Sequence, residues 1–218
     1  MTPFMTDHLI PLSFQVEVVY PPREFQQAAL LQLFSDMCGP FGFQSLKLLT
    51  DNRGVIFSAE KENRCEILRD KIVIREEVNV TSFESFCAST LEMMNLIVQR
   101  INPPVFISQQ NLVRMLYPLD STQAANQFLV QSFLRLPEGL GQKLGRPLAG
   151  VGLRLVFPPT PNSPDEFQLR IEPYFRDQTQ IFLELAGRFF PPFKNLDEVR
   201  SRLRVTYDFL KSSMETLL

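Results

Sequence analysis

Two hydrophobic spacings take turns along this chain. Phe14, Val16, Val18 and Tyr20 alternate with polar Gln15 and Glu17, the two-residue period of a half-buried strand. After Pro21-Pro22 the period lengthens. Phe25, Ala28, Ala29, Leu31 (or Leu30), Phe34 and Met37 then share one helical face, and Gly39-Pro40 is expected to end that helix. Residues 44–50, 55–59, 65–68 and 71–76 read as short strands. A turn at Asp51-Asn52-Arg53-Gly54 and a charged turn at 60–63 make them an antiparallel meander. Thr81 or Ser82 next caps a long helix that carries Glu84 in its first turn. Its apolar stripe is Phe83, Phe86, Thr90, Met94, Ile97 and Ile101, and Pro103 stops it.

The second half runs through a similar order. A strand around 113–117 again ends in Tyr-Pro. Asp120 or Ser121 caps a helix through Ala124, Ala125, Phe128, Leu129 and Phe133. One constant offset places Val16 on Val113, Tyr20 on Tyr117, Pro21 on Pro118 and Ala28 on Ala125. A larger offset aligns the final helices, Phe86 on Val199 and Ile97 on Leu210, so the second half carries insertions. Gly-rich 137–150 and Pro-rich 158–165 supply them, with strands at 151–157, 167–175 and 180–186 and a last helix over 196–218. The expected fold is α+β: two β-α-β4-α repeats form one curved antiparallel sheet with helices on one face, a pseudo-dimer. Residues 1–12 are then an N-terminal arm, 13–102 the first repeat and 103–218 the second. The alternative is an α+β domain whose halves merely look alike.

That topology resembles the TATA-box-binding-protein-like fold, in which two such units fuse their meanders into one curved sheet. The chain also resembles a sporadically distributed family of uncharacterised bacterial proteins. The resembling stretch runs from Thr81-Ser82-Phe83-Glu84-Ser85-Phe86 to Asn111-Leu112-Val113-Arg114-Met115-Leu116-Tyr117. In that family a Trp or Phe opens the helix and a Gly-Leu-Arg-Tyr-like strand follows. The strand here departs from that Arg–Tyr spacing, and the resemblance implies no activity.

Composition narrows the chemistry. In 218 residues, 22 Lys and Arg against 24 Asp and Glu give a net charge of −2, which is no field for indiscriminate nucleic-acid or membrane binding. Cys38, Cys65 and Cys87 form no Cys-x-x-Cys pair, and buried free thiols in a reducing cytosol are the expectation. No apolar run is long enough to span a bilayer. Residues 1–11 carry no Lys or Arg, unlike a secretory signal. A cytoplasmic protein is expected. His8, the single histidine, lies in the arm and is a poor base for a catalytic triad. Gly139-Leu140-Gly141-Gln142-Lys143-Leu144-Gly145-Arg146 lacks the spacing of a phosphate loop and reads as a flexible connector. Acidic pairs such as Glu76-Glu77 and Asp165-Glu166 sit at strand ends and turns, without convergence into a cleft. No enzyme activity, cofactor or metal is expected.

The open sheet face is more informative. If Phe14, Val16, Val18, Leu169 and Leu183 point to the helices, the opposite parity turns outward. It carries Glu17, Val19, Lys71, Val73, Arg75, Arg154, Val156, Arg170, Glu172, Phe182 and Glu184. A DNA saddle should be strongly basic, whereas mixed charge with scattered Val and Phe suits a protein partner. Lys71, Val73, Arg75, Arg154, Val156, Arg170 and Phe182 are therefore the candidate binding residues. The expected role is a protein-interaction or assembly module, with a protein partner or self-association through this face and the second-half loops. Nucleic-acid binding by the concave sheet and an apolar-ligand pocket under the long helices stand as alternatives. The final helix is expected to hold Arg200, Arg202, Arg204 and Lys211 on its polar side. Pro158, Pro159, Pro161 and Pro164 are expected to make the 158–164 stretch a stiff extended arm.

Overall fold

The computed structural model describes residues 9–50, 54–59, 63–77, 82–119, 124–134, 136–137, 139–146 and 148–217. The turn at Asp51-Asn52-Arg53, most of the charged turn at 60–63, His8, and the expected caps Thr81, Asp120 and Ser121 lie outside them. The first strand, β1 (Ile10–Val19), starts inside the expected arm. It pairs with one neighbour from Ile10 and with the other only from Ser13. Pro11 thus sits where the strand is paired on one side, next to a register shift, a place that tolerates a residue without an N–H.

Helix α1 (Gln27–Phe41) corrects one expectation: it passes through Gly39 and Pro40 and ends at Gly42, with φ 68°. Pro40 lies in the last turn, where losing one N–H costs least, and glycine supplies the left-handed exit. Leu30, not Leu31, takes the buried position. The meander follows as β2 (Ser45–Leu48), β3 (Gly54–Ser58), β4 (Arg64–Leu68) and β5 (Lys71–Glu77). Helix α2 (Phe83–Ile101) is capped by Ser82, whose Oγ accepts from the Ser85 amide at 3.0 Å. Its expected stripe from Phe83 to Ile101 is buried throughout.

The second half opens with β6 (Ser108–Pro118), longer than its alternation suggested. Helix α3 (Ala125–Leu129) continues as a π turn over Val130–Leu134. The Gly-rich stretch is not a featureless connector, since α4 (Leu140–Lys143) forms within it. Strands β7 (Leu153–Phe157), β8 (Glu166–Pro173) and β9 (Gln180–Phe189) precede the last helix, α5 (Asp197–Leu217). Among the described residues this half places three strands between α3 and α5, where the first half places four between α1 and α2.

Among the described residues nine strands join one open antiparallel sheet in the order β2-β3-β4-β5-β1-β6-β9-β8-β7. One lateral row sets the inner face: Val55, Ile67, Ile72, Val18, Gln109 and Phe189 are register partners, and all are buried. The helices cover this side. Phe34 of α1 meets Phe57, with ring centroids 5.3 Å apart, while Phe86 of α2 and Tyr207 of α5 meet Phe14 at 5.4 and 6.3 Å. Phe83 and Tyr207 stack at 4.1 Å and join α2 to α5 over the β1–β6 seam.

A polar chain lies beneath α5. Gln109 Nε2 donates to Asn111 Oδ1 at 2.9 Å, Asn111 Nδ2 to Thr206 Oγ1 at 2.9 Å, and Thr206 Oγ1 to the Arg202 carbonyl at 2.8 Å. Gly187 makes the close approach possible, because a Cβ there would come within 2.6 Å of Thr206 Oγ1.

Candidate interaction face

Strand parity turns the other sheet face away from α1, α2 and α5. The register places all seven candidate residues on it: Lys71, Val73 and Arg75 on β5, Arg154 and Val156 on β7, Arg170 on β8 and Phe182 on β9. They are not brought into one cluster. Lys71, Val73 and Arg75 stand on one side of β1, and the other four lie across β6. Val156 is 54% exposed. Val73 is only 5% exposed, lying between Lys71 and Arg75 along its strand and between Glu17 and Glu66 across it. Long charged side chains bury their stems over such a position while their heads reach water.

One row organises the charge. Glu77, Ser13, Arg114, Glu184, Arg170 and Arg154 are successive register partners on β5, β1, β6, β9, β8 and β7. Arg114 Nε meets Glu184 Oε2 at 2.8 Å, and Arg170 Nη1 meets Glu184 Oε1 at 3.0 Å, so one carboxylate holds two guanidiniums. Arg114 also extends over Ser13 to Glu77 at 3.6 Å, while Glu77 pairs with Arg75 at 3.4 Å. Arg75 Nε donates to Gln15 Oε1 at 2.9 Å. Arg170 Nη2 reaches Glu172 at 2.8 Å, and hydrogen bonds to Glu172 and Glu184 raise the Arg170 pKa above its ordinary value. Lys71 pairs with Glu17 at 3.0 Å, and Arg188 with Glu166 at 3.0 Å. Each such pair contributes only about 0.2–1 kcal/mol at an exposed site. A phosphate group meeting Lys71, Arg75 or Arg170 would have to displace a carboxylate from it.

Arg114, Glu77 and Ser13 were not among the expected binding residues. Their outward parity follows from buried Val113 and Met115, Ile74 and Phe14, but their meeting depends on the β5–β1–β6 register. Arg202 is a correction. It is 8% exposed rather than on the polar side of α5, and its guanidinium lies over the Phe193 ring at 4.3 Å. Arg202 Nη2 donates to the Pro191 carbonyl at 3.0 Å, and burial draws its pKa down against the opposing pull of Glu198. The Pro191-Pro192-Phe193 segment folds onto α5 and creates that buried position.

A cavity of about 720 Å³ lies away from the long helices, between the start of α3, residues 149–152 and the β8–β9 turn. Tyr174, Glu172 and the 82% exposed Phe175 line it. Among the described residues no group of three or more His, Cys, Asp or Glu is placed to hold a metal ion. Likewise, no described helix is long and apolar enough to cross a membrane. No protein-family model matches the chain, and no curated protein matches it.

Proposed function

We propose that this protein is a non-enzymatic interaction or assembly module that engages a protein partner through its open sheet face and the second-half loops. The carrying observation is the row from Glu77 to Arg154: a broad outer face whose cations are mostly matched by carboxylates, with Val156 and Phe182 beside them. Protein interfaces combine apolar contacts with satisfied polar ones, whereas a nucleic-acid saddle needs unmatched positive charge. The free thiols Cys38, Cys65 and Cys87 fit action in a reducing compartment such as the cytoplasm.

The same reading takes the halves as copies of one unit, in keeping with the resemblance to the TATA-box-binding-protein-like fold and to the sporadic bacterial family. Its support is the strand order. β1 and β6 meet at the centre, and on each side the strand preceding the half's long final helix lies next to them. Among the described residues the second half has four strands against five in the first, which is taken as divergence between the copies.

A photo-crosslinking amino acid placed at Val156 or Phe182 tests the function. The expected result is a discrete protein adduct from these positions and none from the exposed helix-side positions Leu31 or Val205. Adducts to nucleic acid, or protein adducts from the helix side alone, would overturn it.

A further inference from the structure

The charge row does not end in balance. Inward from β7 its order is Arg154, Arg170, Glu184 and Arg114, so two cations stand directly opposite each other at the β7 margin. Like charges in direct register are unfavourable. Arg170 is relieved by Glu172 and Glu184, but Arg154 donates only to the neutral amide of Gln168 at 2.9 Å. Among the described residues no carboxylate lies within ion-pairing distance of Arg154.

Among the described residues β7 is also an edge strand, with β8 on one side and no strand on the other. An edge turns alternate backbone N–H and C=O groups outward, unpaired. On the helix side Leu153, Leu155 and Phe157 are only half-buried, while their partners Ile171, Leu169 and Phe167 are buried. The apolar layer is therefore left open at this margin.

We propose that β7 receives an added strand from an acidic partner protein, with an Asp or Glu beside Arg154 on the open face and apolar residues beside Leu155 on the helix face. Each unfinished feature of the edge then finds its complement. The ladder gains a strand, the apolar layer gains a further column, and the charge row continues with an acid next to Arg154. A second copy of this chain fits poorly. β7 itself offers only Arg154, and the opposite edge strand, β2, carries Lys47 on the same face. Edge-to-edge pairing of copies would offer Arg154 no acid, which disfavours self-association while leaving an acidic strand acceptable.

The inference rests on the interaction-module reading and narrows it to one edge. Fluorescein-labelled heptapeptides alternating Glu with Val, or Lys with Val, are titrated against the full chain by polarisation. The expected result is binding of the Glu peptide alone, abolished when its alternate amides are N-methylated. Arg154→Glu should weaken it about tenfold or more, the loss of one charge-assisted contact, and should admit the Lys peptide instead. Arg154→Gln should fall between. Equal binding of both peptides, indifference to N-methylation or to Arg154→Glu, absence of binding at millimolar peptide, or dimerisation of the chain through β7 would each overturn the edge proposal. Phe182→Ala, two strands inward, separates the two readings. A captured partner that needs Phe182 but ignores Arg154→Glu retains the face and removes the edge.

Discussion

Arg114 and Glu77 meet across an intervening strand, with Ser13 of β1 lying between them in register and their charged groups 3.6 Å apart. Ser13 is 4% exposed on the outer face, where the pair closes over it. A small residue is required there. Ser13→Leu should destabilise the protein by about 1–3 kcal/mol through overpacking and separation of the pair, whereas Ser13→Ala should cost under about 1 kcal/mol. Urea denaturation measures both. In an Arg114→Met background the Leu penalty should shrink, and an unchanged penalty would assign it to β1 alone.

Gly187 and Thr206 mark a close approach of α5 to the sheet. A methyl group at position 187 would press on Thr206 Oγ1 at 2.6 Å and on the Phe167 ring at 3.1 Å. Gly187→Ala should therefore cost about 1–3 kcal/mol. Thr206→Val keeps the shape but removes the acceptor of Asn111, leaving a buried amide unsatisfied at a similar cost. Because both act on one contact, the double variant should lose less than the two single losses combined. Thermal unfolding of the four proteins checks this.

The Glu84–Arg204 ion pair ties α2 to α5 and gives stability a pH dependence of known sign. The hydrogen bond from Arg204 lowers the Glu84 pKa below its ordinary 4.5. A depressed folded-state value means that the contribution is complete above the ordinary carboxylate range. It is lost as pH falls through the lowered value. Asp36, lowered by hydrogen bonds from Gln32 and Arg100, has the same sign. The melting temperature of the wild type should thus exceed that of Glu84→Gln by a small margin at pH 7, with the gap closing as pH falls below about 4. A gap that widens on acidification would contradict the assignment.

The three thiols should react in a fixed order. Burial pushes Cys87 up to about 11 and Cys65 further still, whereas Cys38 is half-buried. Only the thiolate is nucleophilic. With a disulfide reagent at pH 8, Cys38 should react first, Cys87 slowly, and Cys65 only at the rate of unfolding. Substitution of Cys38 by Ser should remove the fast phase.

Local periodicity made the inner face readable before any coordinates. Phe14, Val16 and Val18 point to the helices, as does the stripe of α2, because a residue's burial there follows from its own strand or helix period. What remained hidden depends on chain segments distant in sequence. Arg202 falls on the helical stripe of Val199, Leu203 and Thr206, where its charge masked the signal, and the return of Phe193 and Pro191 supplies the partners of its guanidinium. Pro40 reads locally as a stop, yet the helix carries it through its last turn to Gly42. The parity of the outer face was equally legible, with Lys71, Arg75, Arg154, Arg170 and Phe182 turned outward. Their carboxylate partners were harder to find. Glu77 joins Arg114 only through the pairing of β5, β1 and β6, a register no local pattern specifies.

The central claim is that the open face binds a protein. The most direct measurement is the affinity of the partner captured from that face for two variants of equal thermal stability, Phe182→Ala on the open side and Val205→Ala on the helix side. The account predicts about tenfold weaker binding or more for Phe182→Ala, as for a buried interface anchor, and no change for Val205→Ala. Loss with Val205→Ala and retention with Phe182→Ala would contradict it.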